Sequence, residues 1–264
     1  MPGQELFGFD NLLDGATITP SSEDPLYPAE NIADPESPGF PAKTVGLGAQ
    51  DFLFDFGSTK DFNLVSVVRV NVQFVNVLAY ATNPAGAPDY QDSFDLGVDR
   101  FTGSRRGGLE VGPRSFRYVR LQIPDQTPTD GASAYSVGGV GIYQAVAAPK
   151  NMRWGYVIKR IEPKEDIGPR HGGWSVRLKL GVPRIEIEGR RLGLLDQANL
   201  ADADGLGAWA DLDMQMWESS FFCFVLGQGN SAHTWIVKRV SDPTWAIDTP
   251  VAEDPVKYEE VLTP

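Results

Sequence analysis

Cysteine occurs once in the 264 residues, as Cys223, so no disulfide can form within the chain. A chain of this length can bury a core without such staples, and the absence fits a reducing compartment or a particle assembled in one. Histidine occurs only as His171 and His233. A zinc site would then need carboxylate partners that nothing in the spacing specifies, so both read as structural and no metal is expected. Positive charge is short as well: 23 Lys and Arg stand against 35 Asp and Glu, a net charge of -12, which argues against a nucleic-acid surface. The acidity is concentrated early, with 9 basic against 18 acidic residues in positions 1–147 and 14 against 17 in the remainder. A solvated, repulsive surface accounts for it; a cation site is the sharper alternative. No apolar run approaches the roughly 20 residues that cross a bilayer as a helix, so no membrane insertion is expected. The opening MPGQELFGFD lacks the basic start and apolar core of a secretory signal.

Catalytic signatures are missing in the same way. Gly-x-Ser-x-Gly, the turn that presents a serine nucleophile, never occurs. Without a nucleophile the stretch RHGGW at 170–174 reads as a turn between strands. Cys223 lies among Phe221, Phe222, Phe224 and Val225, surroundings that bury a thiol and leave it inert. The glycines of GLGAQD are followed by neither a third glycine nor a lysine, so they do not form a phosphate cradle. In ADADGLGAWADLD, Asp202, Asp204, Gly205, Asp211 and Asp213 miss the order of a calcium loop, with Leu200 where an acid is needed. Aspartates there suit a helix start instead. No cofactor and no enzyme activity are expected.

What is present is strand and turn. Glycine and proline number 28 and 20, which favours short strands joined by turns over long helices. LYPAENIADPESPGFPAKTVG, residues 26–46, is loop chemistry. It leads into DFLFDFGSTKDFNLVSVVRV, which reads as strand, turn, strand. FVNVLAYAT, SFRYVRLQIP and VGGVGIYQAV continue the alternation of half-buried strands. A boundary falls at AVAAPKNMRWG, giving units 1–147 and 148–264. The second opens with strands RWGYVIKRIE, WSVRLKLG and RIEIEG. The main helix region follows in LLDQANLADADGLGAWADLDMQMWESS, where Trp209, Leu212 and Met216 recur at helical spacing. Strands FFCFVL, HTWIVKRV and KYEEVL close it. The expected class is mainly β: a sandwich followed by an α+β domain with one main helix.

Five of these stretches, in this order, resemble the discoidin-like, galactose-binding-like jelly roll: AENIAD at 29–34, FLFDFGS at 52–58, the paired apolar strands LVSVVRV and VNVLAYATN, FRYVRLQI, and the closing VGGVGIYQ. The resemblance covers roughly residues 10–147. It implies that the early loop packs against one end of the sandwich and that end loops form a binding rim. Tyr27, Asn31 and Asp34 would then lie at or near the rim, although Asn31 and Asp34 equally suit turn capping through their own side chains. Many relatives carry a glutamate in the last strand that helps to hold calcium. Here Gly138, Gly139 and Gly141 stand in that strand, so a calcium site of the family kind is not carried over. No tryptophan occurs before Trp154, which leaves Tyr27, Phe40, Tyr90 and Tyr135 as candidates to stack on a sugar.

The second half, in WADLDMQMWESSFFCFVLGQGN, HTWIVKRVSDPTWAI and YEEVL, is similar to distal tail and tail-tip proteins of tailed bacteriophages. That resemblance implies a structural part of a tail tip or baseplate, assembled in the host cytoplasm into the virion tail. Its partners would be other tail or baseplate proteins, and it would form a homo-oligomer, trimer or hexamer. Trp209, Met216, Trp217 and Trp235 would serve as interface or core anchors, and the sandwich would dock neighbours or touch host-surface carbohydrate. The alternative is a stand-alone carbohydrate-binding protein.

Overall fold

The computed structural model describes residues 5–33, 40–98 and 103–147. In the C-terminal half it describes residues 157–161, 164–167, 176–179, 184–194, 214–216, 222–225, 234–239, 246–248 and 251–260. In the N-terminal half the strands are β1 (Leu6–Gly8), β2 (Thr17–Pro20), β3 (Ala42–Lys43), β4 (Gln50–Val70), β5 (Phe74–Tyr80), β6 (Tyr90–Asp95), β7 (Gly97–Val98), β8 (Arg105–Ile123), β9 (Ser136–Tyr143) and β10 (Val146–Ala147). A short 3-10 helix, Ala29–Ala33, lies in the long early loop.

Two long strands build the sandwich. β4 and β8 are antiparallel neighbours in the order β3-β9-β4-β8-β5-β6, with β2 beside β4 and β7 beside β8. Gln50–Asp55 pair with Tyr118–Ile123, whereas Leu64–Val67 pair with Gly107–Glu110; between Asp55 and Lys60 the register shifts. Gly57 there takes φ 73°, a left-handed conformation that glycine adopts without a Cβ clash. The expected strand, turn and strand of this region are therefore one bent strand with an internal bulge, which re-aims the chain without ending its pairing. Phe52 and Phe54 from its first part share a single core with Val65 and Val67 from its second, together with Val77, Val119, Leu121, Val140 and Ile142. Strand and bulge thus fold over that core as front and back sheets of a jelly-roll sandwich.

On the front, alternation is clean. Phe52, Phe54 and Phe56 point inward, and the outward row pairs charges across strands: Arg117 Nε lies 2.9 Å from Asp55 and Arg120 Nε 3.4 Å from Asp51. On the back, Leu64, Val65, Ser66, Val67 and Val68 are all buried, the pattern of a strand covered on both faces.

The cover is a third layer. It is formed with β11 (Val157–Ile161), β14 (Arg184–Leu194), β15 (Phe222–Val225), β16 (Thr234–Arg239), β17 (Ala246–Asp248) and β18 (Val251–Glu260). The sheet order is β10-β1-β15-β16-β18-β14-β11, with β17 beside β18. β12 (Lys164–Ile167) and β13 (Val176–Lys179) form a separate pair. Leu64, Val68 and Tyr143 on the back sheet pack with Leu6, Cys223, Val225 and Ile236 of the covering sheet.

Small residues let the layers approach. Gly108, Ser66 and Gly141 sit in register across β8, β4 and β9. A Cβ on Gly108 would meet Thr234 Oγ1 at 2.9 Å, and one on Gly141 would fall 2.2 Å from the Tyr143 ring. Of the last-strand glycines, read from sequence as a lost calcium ligand, Gly141 makes room for an aromatic ring, while Gly108 on β8 makes room for the neighbouring sheet.

The class is mainly β, with an antiparallel sandwich in the N-terminal half, as expected. Residues 214–216 are helical; the rest of the expected helix region, with Trp209 and Trp217, lies outside the described residues. The division at residue 147 remains a proposal about folding units. β1 and β10, from its N-terminal side, pair with each other, and β1 also pairs with β15 on the other side.

Candidate functional site

At one end of the sandwich two loop segments are stitched together by backbone and side-chain hydrogen bonds. The Asp24 amide donates to Lys43 O at 2.9 Å, and the Lys43 amide to Tyr27 O at 3.1 Å. The Val45 amide donates to Ser22 Oγ at 3.1 Å. The Asp24 carboxylate accepts from the Leu26 amide at 2.9 Å, a local turn that aspartate favours. The hydroxyls of Ser21 and Ser22 each donate to Gln50 Oε1 at 2.7 Å, tying these loops to the start of β4. The stitched loops present apolar side chains to solvent: Leu26 is 80% exposed, Phe40 and Val45 62%, and Leu47 47%. Exposed apolar groups gathered on fixed loops mark an interaction surface more often than chance scatter does.

The sequence candidates separate on this geometry. Tyr27 stands at the rim, but Lys43 Nζ lies 3.6 Å from its ring centroid and covers one face. Asn31 is in the 3-10 helix, half-buried, with its amide donating to Pro28 O at 3.2 Å. Asp34 lies outside the described residues. Tyr90 is on β6 and not on these loops. Arg114 approaches its ring at 5.0 Å, and its hydroxyl donates to Asp92 at 3.2 Å. Burial, aided by the Asp92 carboxylate, pushes the Tyr90 phenol up to about 12.

Tyr135 is a correction: it is fully buried. Its hydroxyl donates to Gln126 O at 2.9 Å and accepts from the Gln126 amide at 3.1 Å, which pins the loop before β9 and leaves no ring face for a ligand. Phe40 alone of the aromatic candidates is open to solvent. Leu26, Val45 and Leu47 were missed. Their signal was available, as apolar residues inside turn-forming stretches that no strand period explains.

The other candidates concern the C-terminal half. Met216 is buried within the chain, as a core anchor would be. The Trp235 backbone lies in β16 opposite Phe224, and its side chain, with Trp209, Trp217, His171 and His233, lies outside the described residues. Cys223 is fully buried, and burial pushes its thiol up to about 12, with the Ser66 hydroxyl acting in the opposite direction. Such a thiol is no nucleophile near neutral pH. Among the described residues no group of three His, Cys, Asp or Glu side chains is placed to hold a metal.

A cleft of about 760 Å³ opens at the bulged, opposite end of the sandwich. Asp10 and Leu12 reach it from the loop after β1, Asp61 and Phe62 from β4, Arg114 and Ser115 from β8, and Gln144 from the link between β9 and β10, while Gln215 comes from the helical residues of the C-terminal half. Asp61 accepts a hydrogen bond from the Ser115 hydroxyl. Asn63 closes one wall by exchanging two bonds with the Ala145 backbone, at 2.6 and 2.8 Å.

No protein-family model matches the chain, and no curated protein does. Solved structures similar to it cover its N-terminal half. A Ruminococcus gnavus GH29 fucosidase in complex with fucose is 14% identical, with a TM-score of 0.42 over 52% of this chain and 27% of that one. This chain therefore spans about a quarter of the fucosidase's length. A Streptococcus pneumoniae fucose binding module is 15% identical, TM-score 0.40, over 52% of this chain and 96% of that one. The chitosan-binding module 1 of a Paenibacillus sp. IK-5 chitosanase/glucanase is 18% identical, TM-score 0.39, over 51% and 98%.

Proposed function

We propose that this protein binds carbohydrate through the loop rim of its sandwich, as a binding protein rather than a catalyst. The observation that carries the reading is the group of exposed apolar side chains, Leu26, Phe40, Val45 and Leu47, set on hydrogen-bonded loops beside Ser21, Ser22 and Gln50. A sugar offers C–H faces along with hydroxyls, so an apolar platform bordered by hydroxyl and amide groups suits both. The names of the modules above supply only the first ligands to try.

Titration with fucose and with chitosan oligosaccharides, followed by amide NMR shifts, tests the reading. Binding should move the signals of residues 21–28 and 42–50, and Phe40→Ala should weaken it by about tenfold. Unchanged affinity in Phe40→Ala, or shifts confined to another surface, would sink the proposal.

The rival reading is a tail-tip or baseplate part of a phage-like particle, in which the same apolar rim docks a protein neighbour. A discrete trimer or hexamer in light scattering, with the rim protected in the assembly, would favour it over sugar binding.

A further inference from the structure

We propose that the cleft at the bulged end of the sandwich binds a zwitterionic small molecule, one carrying both an ammonium and a carboxylate, independently of the rim. The cleft holds charges of both signs that do not neutralise each other. Asp61 and Arg114 lie on neighbouring strands, with Phe62 opposite Arg114 and Asp61 opposite Ser115 in the register.

The pleat sets Asp61 beside Ser115 on one face and Arg114 beside Phe62 on the other, so the two charges line the cleft without meeting. Arg114 Nε donates to Val111 O at 3.3 Å, and its guanidinium lies over the Tyr90 ring at 5.0 Å. Asp61 accepts from the Ser115 hydroxyl, and among the described residues neither it nor Asp10 has a cation within ion-pair distance. The guanidinium is thus held by a carbonyl and a ring and retains donors for a planar carboxylate. The two carboxylates retain acceptor capacity for an ammonium.

Phe62 and Leu12 supply an apolar floor, and Gln144 and Gln215 supply neutral donors and acceptors. About 760 Å³ is within the range of small-molecule sites. A zwitterion compensates both signs at once, whereas an anion or a cation alone would leave one of them unmet.

Triglycine is the probe, with its N-acetyl and C-amide forms removing the ammonium and the carboxylate separately. In an NMR titration of the full chain, triglycine should shift the amide signals of Asn63, Ser115 and Gln144, and each capped form should bind about tenfold more weakly. Asp61→Asn should bind the N-acetyl form and triglycine alike, and Arg114→Gln should do the same for the C-amide form. Both residues are exposed, so the variants should fold, which circular dichroism checks. Phe40→Ala should leave triglycine binding unchanged, which separates this cleft from the rim. Equal binding of capped and uncapped forms, or no shift in the cleft with triglycine at millimolar concentration, would overturn the proposal.

Discussion

The first and second parts of β4 belong to one strand and live in different surroundings. From Phe52 to Phe56 every second residue is buried, and Asp51 and Asp55 face outward to Arg120 and Arg117. From Leu64 to Val68 both faces are buried, because a second sheet lies on the outer one. The outer positions of the front sheet must hold a solvated, charged side chain. The outer positions of the back sheet must be apolar or small, since any bulk there displaces the covering layer.

Three measurements would break or sharpen this contrast. The largest effect is expected at Cys223, on the covered side. With its thiol pushed up to about 12 and no exposed surface, modification by a maleimide at pH 8 should be slower than for an unfolded control by on the order of a thousandfold. Rapid labelling of the folded protein would mean that the cover is not closed.

Next comes a matched pair on the same outer face of β4. Leu64→Ala should cost about 2–5 kcal/mol in urea unfolding, as truncation in a core does. Leu53→Ala, half-exposed on the front sheet, should cost about 1 kcal/mol. Similar costs at the two positions would erase the distinction between the sheets.

The smallest effect belongs to the front row. The Arg117 hydrogen bond holds the Asp55 carboxyl below its usual value. A carboxylate so lowered stabilises the fold above its unfolded-state pKa, and the gain is lost as pH falls through the folded one. Asp55→Asn should therefore unfold at slightly lower urea than the parent at neutral pH, with the gap closing in acid. A gap that widened in acid would reverse the assignment.

Much of this was legible in the residues themselves. The alternation in FLFDF and RYVRLQI marks half-buried strands, and both lie in the sandwich. The run LVSVV and the glycines of VGGVG already departed from alternation, and two-sided burial is the physical reason. What covers them could not be read, because β1, β15 and β16 come from distant parts of the chain, and pairing across such separations leaves no local mark. Aromatic type proved a poor guide to exposure: Tyr135 is consumed by a structural hydrogen bond, while Leu26 and Val45 on the early loops are open to solvent. The cleft has no sequence signature, since Asp10, Asp61, Arg114 and Gln215 converge only through the fold.

The position of β1 bears on the order of synthesis. Leu6–Gly8 leaves the ribosome long before one of its two neighbours, Phe222–Val225. Of the two, only Val146–Ala147 can pair with it until then, and its other edge stays open over the stretch between. Closing that gap is a long-range step of the kind that slows folding, and until it occurs an unpaired apolar edge is available to other nascent chains.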